Sequence, residues 1–157
     1  MRLNLSLLCG LALVLMGCAQ PNTSGSASTS KSQVLANGEP SAITVQHCLI
    51  GFAGSVRGKS ISRSKEAAAK LAVDLLEKAN SGEDFDTIVK AYTDDSPPGI
   101  YEMVNSGLPA GGGAFSRDKM VPAFGDVGFR LEVGEYGMSE HDPKASPFGW
   151  HIIKRLK

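Results

Sequence analysis

An α+β fold, a small antiparallel sheet with helices packed around it, is the class that the residue pattern predicts. Three observations carry it. Apolar runs of strand length open and close the folded part, at Ile43 to Phe52 and at Gly149 to Leu156. Between them Ala68, Leu71, Ala72, Leu75, Leu76 and Ala79 recur at i, i+3, i+4, i+7, i+8 and i+11, the buried stripe of one helix. The full order reads strand, two or three helices, strand, helix, strand, strand, which suits helices set beside an antiparallel sheet. No internal repeat is present.

Each element has a local cause. The first strand alternates from Ile43 onward, and the loop of Gly51 to Ser64 that follows holds Gly54, Arg57, Gly58, Lys59 and Arg63. Ser64 suits a helix N-cap, with Glu66 in the first turn where the helix dipole favours an acid. Asn80-Ser81-Gly82 stops that helix, Gly82 fitting a left-handed C-terminal position. A second, shorter helix starts near Glu83 or Asp84 and buries Phe85, Ile88, Val89 and Tyr92. Thr93 to Gly113 reads as irregular, with Pro97-Pro98-Gly99 forcing a break. Ala114 to Arg117 reads as a short strand, and Pro122 to Arg130 as a helix on the spacing of Ala123, Phe124, Val127 and Leu131. Gly134 to Met138 is a turn into a short strand.

The N-terminus reads as a targeting segment, residues 1–17. Arg2 supplies the positive start, and the apolar stretch from Leu3 to Met16 is shorter than the ~20 residues of a comfortable membrane span. It ends in Leu15-Met16-Gly17-Cys18, which looks like a bacterial lipoprotein cleavage site with Cys18 taking the lipid; the competing reading is an ordinary secretory signal with a chance cysteine. Residues 18–41 are rich in Ser, Thr, Gly, Ala, Asn and Pro and are expected to form a flexible tether. Residues 42–157 are then one domain, expected as a monomer outside the cytoplasm, held at a bacterial membrane of the cell envelope.

Composition excludes several function classes. Removing Met1 to Gly17 takes away Arg2, leaving 15 basic against 16 acidic residues. Phosphate-driven nucleic-acid binding needs a marked positive excess, so no nucleic-acid partner is expected. Cys48 is the one cysteine left in the domain, so it cannot form an internal disulfide there. Neither a C-x-x-C motif nor Cys and His at zinc spacing occurs, and neither metal nor cofactor is expected.

A candidate site emerges from the two strands that bound the domain. His47 lies within Ile43-Thr44-Val45-Gln46-His47-Cys48-Leu49-Ile50, and His151 within Phe148-Gly149-Trp150-His151-Ile152-Ile153. A polar ring in a buried strand needs a partner, so each histidine is expected to satisfy the other across adjacent strands. Here the chain resembles the parvulin-type (PpiC-like) peptidyl-prolyl cis-trans isomerases, in which V-x-H-x-L-[IV] opens the domain and F-G-x-H-I-I closes it. The intervening family segments have counterparts at Phe85 to Asp95, at Gly111-Gly112-Gly113-Ala114-Phe115, and at Met120-Val121-Pro122-Ala123-Phe124. The order is kept from about Ala42 to Lys157.

The resemblance implies the FKBP-like parvulin version of the fold and isomerisation of X-Pro bonds in exported proteins, assisting their folding. It implies His47, Asp95, Ser146 and His151 as the catalytic set, with Ser146 hydrogen-bonding the histidine pair. Met120, Phe124 and Phe148 are implied as the substrate-binding walls. Alternatives stay open for each. Met120 and Phe124 at i, i+4 are equally what core packing produces. The histidine pair is also what a rigid sheet would use, and Asp94-Asp95 is also what ends a helix. His141, beside Asp142 and Pro143, reads as solvated. Ser96 to Asn105 departs from the family's short Gly-rich connection, and Arg57 and Lys59, split by Gly58, make a phosphoserine requirement doubtful. The rival function is a non-catalytic parvulin-fold chaperone or binding module that grips Pro-containing or unfolded segments.

Overall fold

The computed structural model describes residues 33–157. The expectations placed on residues 1–32, including the signal segment, lipidation of Cys18 and most of the tether, lie outside the described residues. The elements are β1 (Ala42–Ile50), α1 (Lys65–Asn80), α2 (Phe85–Tyr92), β2 (Ile100–Val104), β3 (Phe115–Ser116), α3 (Pro122–Arg130), β4 (Tyr136–Ser139) and β5 (Trp150–Arg155). A 3-10 turn, Arg117–Lys119, joins β3 to α3. The strands form one sheet in the order β3-β2-β1-β5-β4. All neighbours run antiparallel except the short β2–β3 pair, which is parallel.

Period-two alternation explains why β1 is apolar on both faces. Cys48 and Ile50 join Leu75, Phe85, Ile88, Trp150 and Ile152 in a core under α1 and α2. Ile43 and Val45 join Met103, Phe124, Phe129 and Ile153 in a second core under α3. His47 and His151 take the parity of Val45 and Ile153, so both histidines point to the α3 side. The helix ends follow the expected chemistry. The Ser64 side chain accepts from the Ala67 N–H, Asp84 caps α2 through the Thr87 N–H, and Gly82 has φ +96°.

Three expectations are corrected. The stretch read as irregular contains β2, whose residues pair with β1 from Ala42↔Val104 to Gln46↔Ile100. A central strand needs hydrogen-bonding partners on both sides, and Ile-Tyr-Glu-Met-Val supplies one. Secondly, residues 33–41 are tied to the domain: the Asn105 N–H donates to the Ser41 carbonyl at 2.8 Å, and the Glu39 carboxylate accepts from Arg117 and Asn105. Their polar composition hides side-chain bonds that offset the ordering cost. Thirdly, Tyr92 closes α2 at 36% exposure instead of joining the core.

Candidate active site

The histidine pair forms as the strand pattern requires. His151 stands opposite Leu49 and His47 opposite Ile153, so the rings meet on the diagonal between β1 and β5. Their Nδ1 atoms are 3.2 Å apart, and the rings stack at 5.4 Å with 17° between planes. The Nε2 of His47 lies 3.2 Å from Asp95 Oδ2, and the Tyr101 hydroxyl donates to the same oxygen at 3.1 Å. Asp95 lies three residues past the end of α2, where the chain turns back toward β1: the Asp94 N–H donates to the Leu49 carbonyl, and the Asp94 carboxylate accepts from the Gly51 N–H and from Arg63.

Proton counting orients this chain of bonds. A carboxylate only accepts, so His47 Nε2–H donates to it. In a neutral His47 ring, Nδ1 is then an acceptor, and His151 Nδ1–H donates to it. That leaves His151 Nε2 with its lone pair, buried and without a hydrogen-bond partner among the described residues, as is the hydroxyl of Ser139, its cross-strand neighbour. The hydrogen bond from His47, aided by that from Tyr101, holds the Asp95 carboxyl down at about 2 against the opposing effect of burial. Burial, with the neighbouring Asp95 charge, pushes the Tyr101 hydroxyl up to about 12. Burial is the main cause that pushes His151 down to about 3. At neutral pH the site therefore holds an ionised carboxylate, an un-ionised phenol and an uncharged His151.

Above this network lies a cavity of about 240 Å³, a size for one side chain rather than a large ligand. Met120, Val121, Phe124, Phe148, Leu49 and Val56 form its apolar walls, while His47, His151, Asp95 and Tyr101 supply the polar side. Phe124 is 2% exposed and meets His47, His151 and Tyr101 at ring distances of 5.1, 5.5 and 6.1 Å, each nearly edge-on. Phe148, 40% exposed, stands at the rim. All three expected wall residues thus line one cavity, and it adjoins the expected polar set.

Ser146 is the exception. Its hydroxyl donates to the Gly149 carbonyl at 2.8 Å instead of bonding the histidines. A serine hydroxyl has one proton, and the turn before β5 takes it. That turn is closely fitted: Gly149 has φ +136°, and a Cβ there would lie 2.2 Å from the Ile50 carbonyl oxygen. Ser146 therefore shapes the turn that delivers Phe148 and His151. His141 is also corrected. It packs edge-on against Phe52 at 5.0 Å and lies 5.6 Å from Trp150, half-buried rather than solvated.

Tyr101, Leu49, Val56 and Val121 are site residues that sequence reasoning missed. Tyr101 lies in the segment that departs from the family pattern, and β2 turns it onto the face of Val45 and His47. Gly99 makes this approach possible, since a Cβ there would meet the His47 carbonyl oxygen at 2.4 Å. Leu49 and Val121 carry no signal beyond that of ordinary core residues. In the loop after β1, Lys59 Nζ lies 3.5 Å from the Asp95 carbonyl oxygen, while Arg63 bonds Asp94 and the Gly51 carbonyl. Among the described residues, no group of His, Cys, Asp and Glu is placed to hold a metal ion, and no helix is long and apolar enough to cross a membrane.

Comparison with known proteins identifies the family. The chain is 40% identical over 87 residues to the Foldase protein PrsA 4 of Bacillus cereus, covering 54% of this chain and 26% of that protein. It is 32% identical over 111 residues to the Chaperone SurA of Chromohalobacter salexigens, covering 70% and 21%. The chain spans about a quarter of the length of these curated relatives. Among solved structures, the peptidyl-prolyl isomerase ESS1 from Candida albicans matches with a TM-score of 0.59 and 25% identity, over 80% of this chain and 66% of that one. The solution structure of TbPIN1 matches with a TM-score of 0.56 and 25% identity, over 74% and 98%. The family model of the PPIC-type PPIase domain matches residues 29–157, and the chain belongs to that family.

Proposed function

We propose that the chain is a peptidyl-prolyl cis-trans isomerase acting on X-Pro bonds of exported proteins and assisting their folding, with no cofactor. One observation carries the reading: an apolar cavity of side-chain size closed on one side by the His47–His151–Asp95–Tyr101 network. Rotation about the peptide bond faces a barrier of about 18–20 kcal/mol because the amide loses resonance as it twists. No bond is made or broken, so an enzyme needs only to favour the twisted form over the planar one. The slot of Met120, Phe124 and Phe148 would hold the pyrrolidine ring while the carbonyl on its N-terminal side rotates past the polar side of the cavity. A fixed negative charge at Asp95 disfavours the planar amide, whose carbonyl oxygen carries the most negative charge, more than the twisted one. His47 and Tyr101 hold that carboxylate in place, and His151 orients His47.

The test is a protease-coupled assay on tetrapeptides containing one X-Pro bond, using the full chain. Acceleration lost in Phe124→Ala protein that remains folded supports the reading, and no acceleration by the parent chain refutes it.

Location belongs to the same proposal. Cys18 at the end of the apolar run supports a lipid anchor at a bacterial membrane, with the domain on the extracytoplasmic side. The Foldase and Chaperone names of its relatives fit unfolded chains as clients, and the targeting segment supports their being exported ones. Cys18→Ser should release the protein from the membrane fraction or leave an unprocessed precursor; unchanged fractionation and mobility would remove the anchor. The rival reading, a binding module without useful catalysis, draws support from Phe148, Phe115 and Ile100, which are 40, 48 and 49% exposed. It predicts suppression of client aggregation that survives Asp95→Asn.

A further inference from the structure

Arg117 lies in the 3-10 turn that precedes α3, and its side chain is only 15% exposed. One guanidinium nitrogen, Nη1, donates to Glu39 Oε2 at 2.8 Å and to Asn105 Oδ1 at 3.0 Å; the other, Nη2, donates to Asp126 Oδ1 at 2.7 Å. The guanidinium carbon lies 4.7 Å from the centre of the Phe129 ring. The stem packs on Gly125, where a Cβ would come within 3.0 Å of Arg117 Cγ. These contacts bracket a single short segment. Met120, Val121 and Phe124, a large part of the cavity's apolar wall, lie between Arg117 and Asp126.

The anchor behind Arg117 comes from outside the sheet and helices. Glu39 precedes β1, and it is itself fixed by Asn105, whose Nδ2 donates to Glu39 Oε2 and to the Pro40 carbonyl, both at 3.0 Å. Asn105 is 2% exposed. Val121, at the N-cap of α3, makes no side-chain cap bond of its own.

We propose that Arg117 is a positioning residue for the proline slot and that Glu39 is the strut holding it, so that the segment ahead of β1 sets the affinity of the slot. A guanidinium presents its donors in a rigid plane, which a carboxylate on each side and an amide oxygen can fix; a lysine ammonium is a point charge that cannot satisfy all three. With the plane fixed, the Met120–Phe124 wall is ordered before peptide arrives. With it loosened, part of the binding energy goes into ordering that wall. The loss falls equally on planar and twisted proline, so KM and Kd rise while kcat stays.

This inference rests on the cavity being the proline site, so binding is measured separately from catalysis. The full chain is labelled at its methionine methyls, and a proline tetrapeptide is titrated while the Met120 signal is followed; kcat and KM are taken on the same samples. Glu39→Gln and Arg117→Lys should each raise Kd and KM by about fivefold or more, with kcat within about twofold of the parent. The double variant should be no worse than Arg117→Lys alone, because both remove one shared interaction. Ile88→Val, in the core on the other side of the sheet, is the control for general loosening and should leave Kd unchanged. A parental Kd in Glu39→Gln overturns the proposal, as does an equal rise in Ile88→Val. Should Arg117→Lys fail to fold, Glu39→Gln and Asp126→Asn decide by the same criterion. A parent that binds peptide without catalysis refutes the isomerase reading alone, and a parent that binds no peptide refutes both.

Discussion

Replacing Asp95 by asparagine separates chemistry from architecture, and the structure fixes how large each effect should be. Oδ2 of Asp95 accepts from His47 Nε2 at 3.2 Å and from the Tyr101 hydroxyl at 3.1 Å. An asparagine oxygen in the same place can still accept both, so the bonds change from charge-assisted to neutral. Bonds to a charged group contribute about 1.5–3 kcal/mol and neutral ones about 0.5–1.5, a loss of roughly 2 kcal/mol for the pair. The Asp95 side chain is 36% exposed, and screening by solvent reduces that loss to about 1 kcal/mol. Residues 33–157 unfold with an entropy of about 0.26 kcal/mol/K on a per-residue basis, so the melting temperature should fall by roughly 4 °C. Activity should fall further. If the charge favours the twisted amide, kcat/KM drops about tenfold or more, equivalent to about 1.4 kcal/mol, in protein that is fully folded at about 15 °C. The protease-coupled assay and a thermal melt on the same sample give both numbers. Full activity together with the expected loss of melting temperature would show that the carboxylate is architectural and that catalysis rests on the apolar slot.

Other consequences can be checked with the same preparations. Phe124→Ala removes a buried ring that touches three others and should cost about 3–5 kcal/mol of stability, while activity measured below the new melting temperature is abolished; a folded variant with parental activity would place the substrate elsewhere. Tyr101→Phe keeps the ring against His47 and Phe124 but deletes one donor to Asp95, so kcat should fall several-fold with KM nearly unchanged; a rise in KM alone would make Tyr101 merely a wall. The depressed His151 fixes an acid limit. The unfolded ring takes up its proton below about 6.5 and the folded one only near 3, so the unfolded state binds more protons in that window. Stability should decline as pH falls from 6.5 toward 3, by up to ~1.4 kcal/mol per unit from this group. His151→Gln should flatten that slope in chemical denaturation, and an unaltered slope would mean that other groups govern it.

The parts of the fold that could be read from sequence are those whose cause is local. Ser64 and Gly82 bound α1 because a cap hydroxyl and a left-handed turn act within a few residues, and the stripe from Ala68 to Ala79 needs nothing beyond its own spacing. The parts that escaped are set by distant partners. Ile100 to Val104 is five residues long after a Pro-Pro-Gly break, and its strand character comes from β1 lying open beside it. Glu39 sits in a stretch whose composition matches a tether; its order comes from Arg117, which follows it by 78 positions.

The site divides along the same line, with one further step. His47 and His151 were legible because a polar ring in an apolar strand must have a partner, and Met120, Phe124 and Asp95 because family motifs mark them. Ser146 is the residue type that the family motif offers, yet its one proton goes to the Gly149 carbonyl, three positions away, and not to the histidines. Tyr101 carries a site role only because the register Val45↔Tyr101 sets it on the face of His47. Register is equally what joins the histidines. A one-residue slip of β5 against β1 would turn His151 toward α1 and bring Ile152 to the cavity side. What forbids the slip is the apolar pattern around the ring: Trp150 and Ile152 belong to the core under α1 and α2, and Ile153 to the core under α3. None of these three lines the cavity, yet their alternation is what places the imidazole of His151 3.2 Å from that of His47. In β5, therefore, the pattern that folds the sheet and the pattern that builds the site are one constraint, and conservative exchanges at Ile152 and Ile153 should disturb activity only to the extent that they disturb pairing.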